Sequence, residues 1–225
     1  MQRISANRPH RKDAKTQLMK ADVLINPFAD QVEGLQPLKS ALNFYGLPSF
    51  WDILFSNPPY ISPVAYWKST TPSVRRFEPA LALVPPGKVS MGDTAWGDLF
   101  YPRLLEIARD VEARIVLLEV ADMEQALRVA QRAHDLKIFD GVEIWRDSPG
   151  QSPETPLEGA KVVILGAGHG RSVLCWRGIG ASWLGKTMVT DAEKDAQRLL
   201  QSSTGRALES DTSQNNAPSM EPQFA

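Results

Sequence analysis

The segment with the clearest potential for chemistry is Asn57-Pro58-Pro59-Tyr60, which follows the apolar run Ile53–Phe55. The Asn57 side-chain oxygen and the Pro58 carbonyl oxygen can each accept one hydrogen of a planar NH2 group, on a carboxamide or a nucleobase. Holding both hydrogens orients the nitrogen lone pair toward an electrophile and stabilises the positive charge that grows during attack. Tyr60 can stack on the planar group and exclude water. The alternative is an ordinary loop, because Asn and Pro are common turn residues.

A buried strand has to present this tetrapeptide. Ile53–Phe55 combines β-branched and aromatic residues, which predicts such a strand. Neither proline can donate to a sheet ladder, and the residue before a proline is pushed away from helical angles. The strand should therefore end in a stiff, extended tip at Asn57–Tyr60. In open α/β sheets, ligands sit at the carboxyl ends of the strands.

The sequence around the tip resembles the HemK/PrmC-type release-factor glutamine methyltransferases. These class I S-adenosylmethionine (SAM) enzymes methylate the side-chain nitrogen of the glutamine in a Gly-Gly-Gln loop. The tetrapeptide alone is shared with enzymes that methylate DNA or RNA amino groups, whereas the Phe77-Glu78-Pro79 segment downstream is more selective. The likeness covers roughly residues 20 to 178 and lies in Ser56–Ile61, Val74–Leu83, Gly97–Tyr101, Leu117–Val120 and Gly170–Leu174.

The resemblance implies transfer of a methyl group from SAM to the side-chain amide nitrogen of a glutamine in a peptide chain release factor. It gives Asn57, Pro58 and Tyr60 the catalytic role. Substrate binding by the tip would also involve Pro59, and Glu78 would support the substrate pocket; an equal alternative makes Glu78 a helix-entry residue. The cofactor contacts implied by the resemblance are Asp22, Val23 and Asn57.

The expected fold class is α/β, a partial class I methyltransferase (Rossmann-like) sheet that lacks the first two strands and ends in a C-terminal β-hairpin. The family's strand order is 3-2-1-4-5-7-6, and the Gly-rich SAM loop follows its first strand. No such loop exists before Gly34, so the sequence predicts an N-terminally truncated chain. The strand at Ile53 would then have an open, apolar edge, which is an association hazard.

The chain divides into three predicted regions. Residues 1–20 are interpreted as a basic N-terminal remnant, and residues 21–185 as a partial SAM-dependent methyltransferase domain. Residues 186–225 are expected to form a short helix, at Asp191–Leu200, and a disordered polar tail. Between the first and last regions, the spacing of apolar residues predicts strands at Ala21–Ile25, Ile115–Val120 and Gly141–Trp145. It predicts helices at Pro37–Tyr45, Trp96–Val111 and Met123–Leu136. The proline-rich segment Ser62–Pro86 is expected to be a loop, and Arg146–Gly159 a surface linker.

A strand that runs into Gly166-Ala167-Gly168-His169-Gly170 invites interpretation as a cofactor loop. That interpretation requires a helix after the glycines. The next residues, Arg171–Trp176, are apolar and strand-like. We therefore expect a hairpin between Lys161–Leu165 and Arg171–Trp176, with His169 as a turn residue.

Composition narrows the function classes. The net charge of −1 disfavours direct nucleic-acid binding, and the three histidines lack metal-ligand spacing. A single cysteine, Cys175, favours an intracellular compartment, and no apolar run is long enough to predict a membrane span. The basic N-terminus can imitate a mitochondrial transit peptide but lacks a convincing apolar face. The family resemblance, which is closer to the bacterial type than to the cytosolic eukaryotic type, implies mitochondria if the source is eukaryotic and the cytoplasm otherwise. The alternatives to the release-factor enzyme are an amino-methylating DNA or RNA methyltransferase and a catalytically silent fragment.

Overall fold

A mixed five-stranded sheet runs through the part of the chain that the computed structural model describes, which is residues 16–25, 37–87, 90–151 and 162–186. The strands are β1 (Ile53–Ser56), β2 (Ile115–Glu119), β3 (Gly141–Ser148), β4 (Val163–Leu165) and β5 (Ala167–Trp176). The helices are α1 (Leu38–Phe44), α2 (Pro63–Ser69), α3 (Pro72–Phe77), α4 (Asp93–Gly97), α5 (Phe100–Asp110), α6 (Met123–Asp135) and α7 (Gly180–Trp183), with a 3-10 turn at Ala80–Ala82.

The spatial order of the strands is β1-β2-β5-β3-β4. β1 is parallel to β2 and β4 is parallel to β3, while β5 runs antiparallel to both of its neighbours. The α/β prediction is confirmed, and the sheet is compatible with part of a Rossmann-like fold. β1 lies at an edge, where Ile53 is 59% and Phe55 66% exposed. The predicted open, apolar edge is therefore present among the described residues.

The main core lies on one face of the sheet, against α5 and α6. Leu54, Val116, Leu118, Ile144 and Val173 point into it from β1, β2, β3 and β5. Both helices are amphipathic, as the 3.6-residue period of their apolar positions predicts. On α6 the predicted inward positions are confirmed, since the three alanines are fully buried and the leucine is half-buried: Ala126, Ala130, Ala133 and Leu127.

Ala21–Ile25 is not a strand, and that prediction is wrong. Asp22 makes only an isolated bridge to Pro37, and its carboxylate accepts a hydrogen bond from the Leu24 backbone N–H at 2.8 Å. A short side chain that bonds the backbone two residues ahead favours a turn over a sheet ladder.

Ser62–Pro86 is not a simple loop, because it contains α2, α3 and the 3-10 turn. Pro63 and Pro72 stand in the first turn of α2 and α3, where the missing N–H costs nothing. The Ser62 hydroxyl caps α2 by accepting from the Ala65 N–H at 3.2 Å. The prolines that predicted a loop are thus helix-start residues.

The helix predictions that fall within the described residues are confirmed with shifted boundaries. The helix predicted at Trp96–Val111 is two helices, α4 and α5, separated at Asp98 and Leu99. α1 occupies most of Pro37–Tyr45, and α6 ends one residue before the predicted Leu136.

The C-terminal hairpin prediction is wrong. β3 lies between β4 and β5, so the two runs flanking the glycines do not pair with each other. Gly168 and Gly170 lie inside β5, and so does His169, which is not a turn residue. Gly168 has a φ of +92°, and a Cβ there would come within 2.6 Å of the Asp147 carboxylate. The glycines therefore allow close packing within the sheet, and no helix follows them to form a cofactor loop.

The linker predicted at Arg146–Gly159 begins too early, because β3 continues to Ser148. Several predictions lie outside the described residues: the basic remnant before Thr16, the end of the linker after Gln151, and the helix and tail after Lys186. The domain boundaries therefore stay predictions. None of the described helices is long and apolar enough to cross a membrane.

Replacing Leu118 with Ala should lower the free energy of unfolding by about 2–5 kcal/mol, because Leu118 is fully buried in β2, an interior strand of the sheet. Urea denaturation followed by tryptophan fluorescence measures this change. Leu81→Ala is the matched control: Leu81 is 70% exposed, and its truncation should change stability by no more than about 0.5 kcal/mol. Equal losses in the two variants would contradict the assignment of the core.

Candidate active site

The Asn57–Tyr60 tip follows β1 directly and is irregular, extended backbone. Because β1 and β2 are parallel, the tip lies beside the end of β2 at the carboxyl edge of the sheet, as the sequence predicts. Asn57 is exposed, Pro58 is buried, and Pro59 and Tyr60 are half-buried. The tip thus combines a fixed backbone with an accessible amide side chain.

Both proposed acceptor oxygens are available for a ligand. No described residue donates a hydrogen bond to the Asn57 side chain or to the Pro58 carbonyl. The two residues line a cavity of about 120 Å³ with Tyr60, Ile61, Ala82 and Leu83. A cavity of this size holds a few water molecules or a small planar group.

The wall of this cavity is joined to the tip by a backbone hydrogen bond. The Ile61 N–H donates to the Leu83 carbonyl at 2.9 Å, and this bond connects the tip to the 3-10 turn at Ala80–Ala82. Glu78 is exposed at the end of α3 and does not line the cavity. The structure therefore brings Asn57, Pro58 and Tyr60 together and leaves Glu78 apart from them.

Tyr60 is held at both ends. Its hydroxyl donates to Glu119 Oε1 at 3.0 Å, and its carbonyl accepts from Gln125 Nε2 at 3.2 Å. Burial raises the pKa of the Tyr60 phenol, and the hydrogen bond to Glu119 and the negative charge of Glu119 raise it further; Arg171 opposes them. The phenol therefore keeps its proton at neutral pH, and its ring has a fixed orientation beside the acceptor oxygens.

Glu119 and Gln125 are site residues that the sequence analysis did not single out. Glu119 is the last residue of β2, a polar residue at the end of an apolar run. Gln125 lies in the first turn of α6, one helical repeat before the buried Val129, and is itself buried. A polar residue on an apolar helix stripe is a signal that sequence reasoning can detect, because buried polar groups need partners.

Asp22 and Val23 lie against α5. The Val23 carbonyl accepts from Arg103 Nε at 3.1 Å, and Val23 packs on the main core. Arg103 is close to the start of α5, and Tyr101 in the same turn reaches the Glu119 carbonyl at 2.9 Å. Asp22 and Val23 are therefore near the carboxyl edge of the sheet, but no hydrogen bond between described residues links them to Asn57.

The described residues do not form the glycine loop that would hold the methionine part of SAM, and Asp22 and Val23 line none of the cavities described. Asp22 is half-buried, and one of its carboxylate oxygens already accepts from Leu24. The turns from β1 to α2 and from β2 to α6 contain no glycine, and the glycines near Gly168 are in a strand. A phosphate- or carboxylate-binding glycine loop at the start of a helix is thus not found in the described part of the chain.

A larger cavity of about 470 Å³ adjoins the tip, and Tyr60 lines both cavities. Its other walls come from α2, α4, the start of α6 and β5, and its charged residues are of both signs: Asp93, Asp122, Glu124, Arg128 and Arg171. The Tyr60 side of the tip therefore opens onto a mixed-charge surface.

A metal site and a nucleophilic cysteine are the other catalytic features to consider. The described residues contain no group of three or more His, Cys, Asp or Glu side chains that could hold a metal ion. Cys175 is fully buried in β5, and burial raises the pKa of its thiol. It is therefore a small core residue, since the nucleophilic form of cysteine is the thiolate.

Comparison with known proteins gives one partial match. The chain is 39% identical over 77 residues to a release factor glutamine methyltransferase of Chlorobaculum tepidum. The match covers 34% of this chain and 21% of that protein, so the chain spans about a fifth of the length of the curated relative it matches. No protein-family model and no solved structure matches. The match suggests the HemK-type family and, with it, a methyltransferase.

Glu119→Gln should lower the pKa of the Tyr60 phenol. A nearby negative charge disfavours the phenolate, and the substitution removes that charge while keeping an oxygen that can accept the hydrogen bond. The pH titration of the Tyr60 ¹³Cζ NMR signal measures the shift. Glu106→Gln is the control, because Glu106 lies on α5 and pairs with Arg103. An unchanged or raised Tyr60 pKa in Glu119→Gln would contradict the geometry.

Proposed function

We propose that this chain transfers a methyl group from SAM to the side-chain amide nitrogen of a glutamine in the Gly-Gly-Gln loop of a peptide chain release factor. The observation that carries the proposal is a pair of acceptor oxygens, on Asn57 and Pro58, that have no donor among the described residues and stand on a tip at the carboxyl edge of the sheet. The partial match to a release factor glutamine methyltransferase supports it. The strand order β1-β2-β5-β3 also agrees with the 4-5-7-6 part of the order that the family resemblance implies.

The two oxygens address the difficulty of this reaction. An amide nitrogen is a poor nucleophile because its lone pair is delocalised into the carbonyl group. Asn57 Oδ1 and the Pro58 carbonyl each accept one N–H, which orients the nitrogen and stabilises the charge it gains. The backbone that carries both groups is held through Tyr60 and Ile61 before the substrate arrives, which limits the reorganisation that binding needs. Bound SAM would supply an electrophilic methyl group and leave as S-adenosylhomocysteine when its bond to the methyl carbon breaks, and the proton lost by the amide nitrogen would pass to water.

Tyr60 supplies the third element of the site. Its phenol is fixed by Glu119, so the ring can cover the face of a planar amide and exclude water. Tyr60 and Ile61 line both cavities, so a glutamine side chain bound in the smaller cavity would have its peptide backbone close to the larger one. The larger cavity can therefore receive the chain on either side of the glutamine.

Modification of a nucleobase is the competing activity, since the tip alone suits any planar amine. A nucleic-acid enzyme needs a basic track for phosphates and a pocket for a flipped base. The cavity at Asn57 is about 120 Å³, and three acidic residues accompany the two arginines of the larger cavity. Size and charge both favour a peptide amide.

Labelled methyl groups separate these possibilities. The chain is incubated with methyl-labelled SAM and either a release factor containing Gly-Gly-Gln or duplex DNA. We expect label on the glutamine side chain of the release factor and none on DNA. Label on DNA would establish the competing activity, and no label on either would establish a catalytically silent fragment.

Asn57→Ala should reduce methyl transfer to the release factor by about 10²–10³-fold, the usual effect of removing one preorganised polar group. Asn43→Ala, on the exposed side of α1, is the matched control and should retain full activity. Initial rates at saturating SAM and release factor measure the effect. Near-normal turnover by Asn57→Ala would contradict the assigned role of this side chain.

A further inference from the structure

We infer that Gln125 is a positioning residue for methyl transfer, which fixes the acceptor tip at Asn57–Tyr60 against the end of β2. This inference rests on the proposed function and deepens it. Gln125 lines the larger cavity but not the small cavity at Asn57, so it reaches the acceptor oxygens through its hydrogen bond to the Tyr60 carbonyl.

The Gln125 side chain is 3% exposed, and its amide nitrogen has three acceptors. Nε2 lies 3.2 Å from the Tyr60 carbonyl, 3.2 Å from the Gly97 carbonyl and 2.9 Å from Asp98 Oδ1. A primary amide has two N–H bonds, so the three acceptors share them. One side chain thus binds the tip and the end of α4 together.

The other end of the same amide binds the chain after β2. Gln125 Oε1 accepts from the Ala121 N–H at 2.8 Å and lies 3.2 Å from the Tyr101 hydroxyl. A backbone N–H can only donate and a backbone carbonyl can only accept, so these partners permit one orientation of the amide. The Gln125 backbone is itself fixed, because its N–H donates to the N-cap residue Asp122 at 2.8 Å.

Between the end of β1 and Tyr60, the described residues make no other hydrogen bond that holds the backbone of the tip. Its ladder with β2 ends at Ser56, and the hydrogen bond from Gln125 to the Tyr60 carbonyl comes four residues later. Gly97 packs closely there, since a Cβ at that position would lie 3.2 Å from the Tyr60 carbonyl oxygen. The acceptor at Pro58 therefore lies between two fixed points, the end of β1 and the Gln125 bond.

An ion pair braces the network from outside. Arg128 donates to both oxygens of Asp98, at 2.7 and 3.1 Å, one turn along α6 from Gln125. The hydrogen bond to Asp98 raises the pKa of the Arg128 guanidinium, and the negative charge of Asp98 adds to this. Arg128 thereby holds the carboxylate group that accepts the hydrogen bond from Gln125.

The test is Gln125→Glu, which keeps the size of the side chain and removes its amide donor. The ionised carboxylate would face two carbonyls and the Asp98 carboxylate. Loss of tip positioning should lower kcat by about 10²-fold, the cost of a displacement near 1 Å, with KM for the release factor nearly unchanged. Gln131→Glu is the matched control, since Gln131 lies on the same helix, is exposed and bonds only Asp135.

A pH profile distinguishes positioning from simple loss of stability. Lowering the pH protonates the introduced carboxyl, which regains one donor, and part of the lost kcat should return; the wild type should show no such gain. The charged and titratable groups near this position are Tyr60, Asp98, Tyr101, Glu119, Asp122 and Arg128. Unchanged kcat, or a loss that lower pH does not relieve in folded protein, would overturn the inference.

Two further measurements keep the inference testable in every case. If Gln125→Glu does not fold, Arg128→Met on the exposed helix surface should lower kcat several-fold, and wild-type kcat would count against the inference. If the wild type methylates no substrate, the proposed function fails, but the Tyr60 ¹³Cζ signal still tests Gln125. The chemical shift of that signal should differ from the wild type in Gln125→Glu and return toward the wild-type value at low pH. It should be unchanged in Gln131→Glu. An unchanged chemical shift in Gln125→Glu would overturn the inference.

Discussion

The hydrogen bonds at the two ends of Tyr60 are the constraint on which the candidate site depends. Glu119 at the end of β2 holds the phenol, and Gln125 at the start of α6 holds the carbonyl. Without these bonds the residues after Ser56 would be restrained only by their two prolines and by the bond from the Ile61 N–H to the Leu83 carbonyl, among the described contacts. With them, the backbone that carries the two acceptor oxygens is held in place, and catalysis by preorganised dipoles becomes physically reasonable.

These bonds require the sheet to be in register. The parallel pairing of β1 with β2 places Ser56 opposite Leu118, so that the chains continuing from the two strands emerge side by side. The buried side chains of β2 and α6 hold that register through the main core. The opposite edge of β1 is exposed and apolar among the described residues, so the site is built on an edge strand whose stability comes from one neighbour.

Local sequence signals predicted the elements that bury apolar residues and missed those decided by distant contacts. The 3.6-residue period of the apolar positions predicted α6, and the apolar runs predicted β1 and β2. The Asn-Pro-Pro sequence predicted the end of β1. The sequence could not show that Val163–Leu165 pairs with β3, because glycines favour a hairpin turn and a strand bend equally. It also missed Glu119 and Gln125, whose roles depend on partners 59 and 65 residues away in the chain.

The central claim is that both hydrogens of a glutamine side-chain NH2 are bound at Asn57 and Pro58. It is tested most directly by NMR on a release factor labelled with ¹⁵N at the glutamine side chain of its Gly-Gly-Gln loop, titrated with this chain. If the claim holds, both amide protons of that glutamine move downfield on binding, as protons do when they enter hydrogen bonds to oxygen. Binding that shifts the backbone signals of the loop but leaves both side-chain protons unchanged would contradict it.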